Sequence, residues 1–338
     1  MKTIILQEPG RFQFTDTSTP ASPEPGEALV RIHRVGVCGS DIHAFKGNQP
    51  FFSYPRVVGH ELGVEIVAMG PHDTDLAAGD RCAVEPYLNC GRCIACRRGK
   101  TNCCVNLQVL GVHTDGGMRE FMRVPAAKLH RSRSLSVDQL ALVEMLTIGA
   151  HAVRRAELEP GENVLVIGAG PIGLATLQFA LLVGARAGVL EISGWRREFC
   201  RRHLGVVHCL DGTGDTGKQL EEMLNGDLPT TVFDATGSPK SMMQAVQYVA
   251  NGGKLVYVSL VQADLTFRDA ELHRRELTLI RSRNALAADF AWVMQMLEDG
   301  RVDLAPWITH RASVEQMVGE FPGWLDPDRG IVKAVVEF

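Results

Sequence analysis

A glycine-rich turn between an apolar strand and an apolar helix constrains the fold of this chain more than any other feature. Residues 164–167 are wholly apolar, and Gly168-Ala169-Gly170-Pro171-Ile172-Gly173 follows directly and opens an apolar stretch that ends near residue 183. Glycines at these positions let the backbone approach a pyrophosphate, whose charge then meets the N-terminus of the helix. In this context the motif predicts a dinucleotide-binding parallel sheet.

The region after the turn keeps alternating between strand-like and helix-like segments. The expected strands and helices lie, in order, at 187–191, 195–204, 231–234, 240–249 and 255–259. Alternation of this kind predicts a parallel sheet covered by helices on both faces.

The first part of the chain has a different pattern. Short runs rich in Val and Ile are broken by Gly, Pro and Asp, which predicts strands at 28–34, 62–69, 81–85 and 118–124. After a helix expected at 289–297, the tail returns to a strand at 331–338, which we expect to rejoin the first sheet. Because 338 residues exceed one compact core, we predict a discontinuous β-rich domain at 1–147 and 286–338, and a nucleotide-binding domain at 148–285.

Charge and cysteine content exclude some classes of protein. A net charge of -4 and only short basic stretches argue against nucleic-acid binding. The apolar run at the N-terminus, 4–6, is too short for a signal peptide or a membrane span. We therefore expect a cytoplasmic protein without a membrane or nucleic-acid partner. Disulfides are rare in that compartment, so the nine cysteines need another explanation.

A short loop supplies four thiols at a spacing typical of a metal site. Cys90, Cys93 and Cys96 are each separated by two residues, and Cys103 and Cys104 follow. Zinc accepts four thiolates tetrahedrally, and such a closed site is structural. An iron–sulfur cluster also uses four thiolates. Spacing alone leaves the metal open, and it leaves either of the last two cysteines as the fourth ligand.

A second group of donors precedes this loop. Cys38-Gly39-Ser40-Asp41-Ile42-His43 is followed by Gly59-His60-Glu61. A thiolate and an imidazole are ligands that zinc favours, and a third protein ligand would leave one position open for substrate. A single cysteine is more often an inert core residue. The combination with the four-cysteine loop and the glycine-rich turn is what indicates a catalytic metal site.

Glu191 ends the strand after the glycine-rich turn and is predicted to select the dinucleotide. A carboxylate there accepts hydrogen bonds from the adenosine ribose and repels a 2′-phosphate, which favours NAD over NADP. Arg196 and Arg197 lie nearby, and a guanidinium could instead bind that phosphate. We expect the turn, Glu191 and Arg196 to contact the cofactor.

Together these motifs resemble the zinc-containing medium-chain dehydrogenase superfamily, in its sorbitol and threonine dehydrogenase branch, over essentially the whole chain. The matching segments are 35–43, 59–61, the four-cysteine loop, the glycine-rich turn, and Glu144 ahead of 149–152. The resemblance implies an α/β protein with a GroES-like, β-rich catalytic domain and a Rossmann, doubly wound parallel-sheet domain. It also implies two zinc ions per chain, NAD as cofactor, and a homodimer or homotetramer.

The resemblance assigns metal ligands where positions match. Cys38 and His60 resemble the invariant ligands of the catalytic zinc, and Glu61 resembles the carboxylate that adjoins it. Glu144 resembles the glutamate that completes the site, although Met145 stands where the branch usually has proline.

Other roles follow in the same way. Asp41 resembles the residue that orients the histidine ligand. Ser40 and His43 resemble the relay that carries the alcohol proton to solvent, and Lys333 resembles the basic residue that reaches the cofactor pyrophosphate. The spacing of the family's cysteine loop selects Cys104 over its neighbour as the fourth thiolate.

Several loops resemble more narrowly the bacterial L-galactonate 5-dehydrogenases of this branch. These loops are 48–56, 101–104, 111–113 and 282–285. This resemblance implies hydride transfer to NAD from a secondary hydroxyl of a sugar acid. Arg56 and Arg283 lie in these loops and are candidates for binding the substrate carboxylate, because a guanidinium binds a carboxylate bidentately. Each could equally be paired within the fold.

Three other functions fit parts of the sequence. A polyol or L-threonine dehydrogenase would use the same machinery with a different pocket. The presence of Cys38, His60 and Glu144 argues against a zinc-free relative resembling quinone reductases. A non-catalytic protein that uses the fold would be expected to lose these ligands or the glycine-rich turn, and all are present.

Overall fold

The computed structural model describes all residues, 1–338, and divides the chain into two compact units. Unit 1 comprises Met1–Met145 and Leu286–Phe338, and unit 2 comprises Leu146–Ala285. The first boundary falls at residue 145 rather than the expected 147, because it lies within the continuous helix Val137–Ala156 and no turn marks it.

The strands are numbered in chain order. They are β1 Lys2–Glu8, β2 Arg11–Asp16, β3 Glu27–Gly36, β4 Glu61–Met69, β5 Arg81–Val84, β6 Tyr87–Leu88, β7 Gln108–Val109, β8 Phe121–Pro125, β9 Leu129–Ser132, β10 Asn163–Ile167, β11 Arg186–Glu191, β12 Cys209–Asp211, β13 Thr231–Asp234, β14 Lys254–Tyr257, β15 Thr278–Arg281, β16 Ile308–Ser313 and β17 Lys333–Glu337.

The α-helices are numbered in the same way. They are α1 Gly39–Phe45, α2 Ile94–Arg97, α3 Val137–Ala156, α4 Pro171–Leu182, α5 Gly194–Leu204, α6 Thr216–Leu224, α7 Pro239–Gln244, α8 Asp269–Arg274, α9 Ala287–Glu298 and α10 Val314–Glu320. Short 3-10 helices occur at Thr101–Cys103, Ala126–Lys128, Ala245–Tyr248, Ala305–Trp307, Phe321–Leu325 and Pro327–Arg329. No helix is both long enough and apolar enough to cross a membrane.

Unit 1 is organised around a seven-stranded, mostly antiparallel sheet. Its strand order is β16-β17-β3-β4-β5-β9, and β8 pairs with β3. The terminal strand β17 pairs antiparallel with β3, so the end of the chain rejoins the first sheet as predicted. A cluster of buried Val, Ile, Leu and aromatic side chains packs against this sheet and includes Ile32, Leu62 and Phe321.

Unit 2 contains a six-stranded parallel sheet of order β12-β11-β10-β13-β14-β15. Strand order reverses between β10 and β13, and in sheets of this kind ligands bind beyond the carboxyl ends of the strands at that point. The glycine-rich turn follows β10 directly, so the fold places the predicted cofactor motif at this edge.

The structure contains several elements that the sequence prediction lacks or places differently, and three of these differences have a clear physical reason. Helix α3 has no counterpart in the prediction, because residues 140–147 are all buried and lack the polar face that marks a surface helix. The helix expected at 240–249 is α7 followed by a 3-10 turn. The strand expected at 118–124 begins only at Phe121, because Met118 pairs instead with the backbone of Ile4 and Val58.

Candidate active site and metal centres

The pairing of β3 with β4 brings the first two predicted zinc ligands together. Gly36 lies opposite Glu61 in this antiparallel pair. Cys38, just beyond β3, therefore lies beside His60, just before β4, and the thiol is within hydrogen-bonding reach of the imidazole. His60 is buried, and its Nδ1 has no hydrogen-bond partner. A thiol and an unpartnered buried imidazole nitrogen are a donor set that suits zinc.

Asp41 connects the two loops that carry these ligands. Its buried carboxylate accepts hydrogen bonds from the backbone N–H of Cys38 at 2.9 Å and of Gly59 at 3.3 Å. Burial raises the pKa of Asp41, and the nearby His60 lowers it. Asp41 thus holds His60 through the backbone of the preceding residue rather than through a hydrogen bond to Nδ1.

Helix α3 brings Glu144 to the same site. Its carboxylate is 4% exposed and accepts a short hydrogen bond from the phenol of Tyr87. Although burial lowers the pKa of His60, the adjacent Cys38 and Glu144 raise it well above the usual value. The surroundings of the imidazole therefore favour a positive charge, which a bound divalent metal ion would also supply. Met145 is also buried, inside the uninterrupted helix.

Glu61 is held by a buried ion pair with Lys333. The ammonium donates to Oε1 of Glu61 at 2.7 Å and to the carbonyl of Val37 at 3.0 Å. Oε2 of Glu61 is buried without a partner. This oxygen fills the space beside Gly36 of β3. A Cβ at Gly36 would lie only 2.2 Å from the oxygen, so only glycine fits there. The role of Lys333 at a cofactor pyrophosphate stays a prediction, since both of these hydrogen bonds lie within unit 1.

The two residues of the predicted proton relay lie on α1. The hydroxyl oxygen of Ser40 is buried without a hydrogen-bond partner. His43 is exposed, and its Nδ1 hydrogen-bonds to Oδ1 of Asn48 at 2.9 Å. One relay residue is thus shielded and the next is open to water.

The four-cysteine loop forms a compact group of thiols. The Sγ atoms of Cys90, Cys93, Cys96 and Cys104 all lie within 4.8 Å of one another. Tetrahedral zinc with Zn–S bonds of about 2.3 Å requires sulfur atoms about 3.8 Å apart, so the group fits this ion. Cys104 is 4% exposed, whereas Cys103 is exposed and lies outside the group.

The thiols of this loop differ in acidity. Backbone N–H groups of Cys96 and Val105 lower the pKa of Cys93 to about 6. Burial, together with hydrogen bonds to Cys93 and Cys104, raises the pKa of Cys96 to about 11. A cation bound among these sulfurs, as a structural zinc would be, stabilises their thiolate forms.

In unit 2 the glycine-rich turn has the geometry of a phosphate-binding loop. Gly168 has a φ of 90°, which a side chain rarely adopts. A Cβ at Gly173 would lie 1.8 Å from the carbonyl oxygen of Gly168, so helix α4 can pack this closely only with glycine there. Gly170 caps α4, and Pro171 and Ile172 form its first turn. The turn adjoins a cavity of about 910 Å³ that also includes Glu191, Arg196, Thr236, Lys240 and Gln244.

Glu191 is fixed at the edge of this cavity. Its carboxylate accepts from the N–H of Ala169 at 2.6 Å and of Ser193 at 2.8 Å. The first of these bonds joins it to the glycine-rich turn. A buried carboxylate at this point can bind ribose hydroxyls and oppose a second anion.

The two neighbouring arginines have different surroundings. Arg197 donates to the backbone carbonyls of Glu191 and Ile192 and forms an ion pair with Asp211 at 2.9 Å. Arg196 lines the cavity, and its guanidinium lies 3.4 Å from the position of a Cβ built on Gly170. Of the two, Arg196 is the one that faces the space a cofactor would occupy.

The two candidate arginines for a substrate carboxylate are both engaged. Arg56 donates to Oγ of Ser53 at 2.8 Å and to Oδ1 of Asp115 at 3.4 Å, and its Nε is buried without a partner. Arg283 is exposed, lies in unit 2 and has interactions of its own. Arg56 therefore keeps one N–H donor, Nε, without a partner, although its guanidinium already pairs with the carboxylate of Asp115.

Sequence reasoning missed the polar partners of the two acidic site residues. Neither Tyr87 beside Glu144 nor the pairing of Lys333 with Glu61 has a local sequence signal, because the partners are far apart in the chain. The one hint in the sequence is that a tyrosine, Tyr87, lies just before the four-cysteine loop.

Comparison with protein families agrees with these two units. Residues 24–134 match the alcohol dehydrogenase GroES-like domain, and residues 171–299 match the zinc-binding dehydrogenase domain. The chain belongs to the zinc-binding alcohol dehydrogenase family. The predicted fold class, a GroES-like domain with a Rossmann domain, and the predicted class of enzyme, a zinc-dependent dehydrogenase, are confirmed.

Individual relatives extend this match over the whole chain. An L-galactonate-5-dehydrogenase of Escherichia coli K12 is 40% identical over 338 residues, covering 100% of this chain and 99% of the relative. An L-idonate 5-dehydrogenase of Vitis vinifera is 32% identical, covering 86% of this chain and 82% of the relative. The crystal structure of an alcohol dehydrogenase of Escherichia coli CFT073 with NADH superposes with a TM-score of 0.93 at 28% identity, covering 100% of this chain and 99% of that one.

The two donor sets predict different behaviour on metal removal. The purified protein is expected to contain two zinc ions per chain, one removed readily by a chelator and one resistant, because only the second is enclosed by four thiolates. Cys38→Ala should lose the labile zinc and turnover yet stay folded, whereas Cys93→Ala should lower the melting temperature by several degrees. Elemental analysis and thermal unfolding measure both effects.

Cys103→Ala is the matched control, because its thiol is exposed and adjoins the loop without entering it. It should keep both zinc ions and the melting temperature of the unchanged protein. Iron with acid-labile sulfide, or equal destabilisation by Cys38→Ala and Cys93→Ala, would contradict the presence of two distinct zinc sites.

Proposed function

We propose that this chain is a zinc-dependent, NAD-linked dehydrogenase that oxidises a secondary hydroxyl of a sugar acid such as L-galactonate. The observation that carries the proposal is the combination of the donors Cys38, His60 and Glu144 in unit 1 with a dinucleotide cavity in unit 2. The substrate class is supported by 40% identity over the full length to an L-galactonate-5-dehydrogenase.

The chemistry divides between cofactors and side chains. Zinc held by Cys38, His60 and Glu144 would act as a Lewis acid that lowers the pKa of the substrate hydroxyl, and the nicotinamide would accept the hydride. Ser40 would accept the hydroxyl proton while releasing its own hydroxyl proton toward His43, since its buried oxygen has no competing partner. His43 is exposed on the same helix and releases that proton to water.

The cofactor preference follows from the charges at the cavity edge. NAD is expected to be preferred over NADP, because Glu191 opposes a 2′-phosphate and Arg197 is occupied by Asp211. Glu191→Gln removes the charge while keeping a side chain of the same size, so it should shift the ratio of kcat/KM for NAD and NADP toward NADP by about tenfold or more.

Arg196→Gln is the matching control, because it removes the guanidinium that lines the cavity. It should weaken residual activity with NADP more than activity with NAD. A higher kcat/KM for NADP in the unchanged enzyme would mean that Arg196 decides the preference instead of Glu191.

The substrate is tested by turnover of matched alcohols. NAD reduction should be faster with L-galactonate than with neutral polyols or L-threonine. An analogue of L-galactonate with an alcohol in place of the carboxylate should have a kcat/KM at least about tenfold lower, since a hydrogen bond to a charged group contributes about 1.5–3 kcal/mol. Faster turnover of sorbitol or L-threonine would assign the alternative substrate and leave the class of enzyme unchanged.

Arginine variants identify the group that binds the carboxylate. Arg56→Gln and Arg283→Gln are compared with Arg123→Gln, whose side chain pairs with Glu24 and Glu27 at the surface of unit 1. Replacement of the arginine that binds the carboxylate should remove the enzyme's discrimination between L-galactonate and the corresponding polyol. Equal losses on both substrates would mean that the arginine only stabilises the fold.

A homodimer or homotetramer is supported by an open sheet edge. Strand β15 ends the sheet of unit 2, and Leu279 on it is 40% exposed. Edge strands carry unpaired backbone groups that can pair with another chain. Light scattering should give at least a dimer, and Leu279→Lys should shift it toward monomer, whereas Val207→Lys, at an 81% exposed site, should not. A monomeric unchanged protein would contradict this assembly.

The cytoplasm is the compartment that suits the thiols of this chain. All nine cysteines are free, and the proposed function needs five of them as thiolates for zinc. A reducing compartment keeps them in that state.

A further inference from the structure

The segment that joins β5 to the four-cysteine loop is fixed at both ends by buried polar contacts. Glu85 is 2% exposed, forms a short ion pair with Lys128 and hydrogen-bonds to His130 at 3.2 Å. At the other end, Oδ1 of Asn89 accepts from the same Lys128 at 3.0 Å, and its amide lies 3.7 Å from the sulfur of Cys96. The segment therefore has little freedom to move relative to the loop.

Tyr87 lies midway between these two contacts. It is 2% exposed and pairs with Val109 in the short β6–β7 ladder that closes the four-cysteine loop. Its ring packs edge-on against Phe290 with 6.3 Å between ring centroids. Its hydroxyl donates to Oε1 of Glu144. The backbone and ring contacts place the phenol independently of the carboxylate that it contacts.

A carboxylate that ligates a metal through one oxygen needs its orientation fixed by a partner on the other. Such outer partners control the affinity and geometry of metal sites. Glu144 is buried, and its Oε1 accepts the hydrogen bond from Tyr87. The phenol thus favours one orientation of this carboxylate.

We infer that Tyr87 is a positioning residue that orients Glu144 in the catalytic metal site, where no sequence motif marks it. The inference rests on the proposed function, because it assumes that Glu144 binds the labile zinc. Tyr87 acts through Glu144 and has no contact with the substrate in this scheme, so its role is distinct from that of Ser40 or His43.

The test compares Tyr87→Phe with the unchanged protein, both full-length and loaded with zinc. Competition with a chelator should show about 10–100-fold weaker binding of the labile zinc, the range typical for loss of an outer partner. The resistant zinc should stay bound. With cobalt in the labile site, the visible absorption bands should shift, because they report the ligand geometry. Tyr257→Phe is the control, since that phenol is equally buried and donates to the carbonyl of Met242 at 2.6 Å.

A double-mutant cycle separates positioning from packing. In a Glu144→Ala background, Tyr87→Phe should change the affinity for the labile metal much less than it does alone, since the carboxylate it orients is gone. Equal effects in both backgrounds would mean that the phenol acts by packing and would overturn the inference.

The inference and the proposed function fail in different ways. If the unchanged protein holds a labile zinc and reduces NAD, but Tyr87→Phe matches it in metal affinity and in the cobalt spectrum, only the inference is wrong. If the unchanged protein holds no labile zinc, the proposed metal site and the role of Tyr87 are both wrong.

Discussion

The register of β3 against β4 is the constraint on which the candidate catalytic site depends. Gly36 opposite Glu61 places Cys38 beside His60, and a slip of one residue would move every side chain of the strand to the other face. The register is itself protected, because the buried carboxylate of Glu61 occupies the space that a side chain at Gly36 would need. The pairing of β3 with β4 thus positions Cys38 and His60, which lie just beyond the ends of these strands.

The same sheet also sets the charge balance of the site. The buried or half-buried side chains of Cys38, Glu61 and Glu144 lie near the fixed ammonium of Lys333. Burial lowers the pKa of that lysine, but the nearby acidic groups raise it above its usual value. Buried charges are costly unless they are compensated. A divalent cation would complete the compensation, so metal binding and the stability of unit 1 are expected to be coupled.

The sequence was informative where the chemistry is local and silent where it depends on contacts between distant residues. The four-cysteine loop and the glycine-rich turn each lie within fifteen residues or fewer, so their spacing predicts the kind of ligand each binds, a metal for the loop and a dinucleotide for the turn. Spacing alone did not choose between Cys103 and Cys104, the resemblance to the family selected Cys104, and the structure places Cys104 in the thiol group and leaves Cys103 exposed. The partner of Glu144 is Tyr87, far away in the chain, and helix α3 is buried on all sides where Glu144 lies, so neither follows from a periodic pattern.

In unit 2, Glu191 is the residue predicted to select the cofactor, and it is held by hydrogen bonds that the glycine-rich motif does not reveal. Both oxygens of Glu191 already accept backbone N–H groups, so the carboxylate keeps its place whether or not a ribose is bound. Arg197 donates hydrogen bonds to the backbone at the end of β11 and to Asp211. Arg196 is therefore the adjacent cation that lines the cavity. The choice between the two dinucleotides therefore reduces to one fixed carboxylate against one arginine. A fixed anion acts at the ribose itself, whereas an arginine must be ordered by the phosphate that it binds, and that ordering costs side-chain entropy.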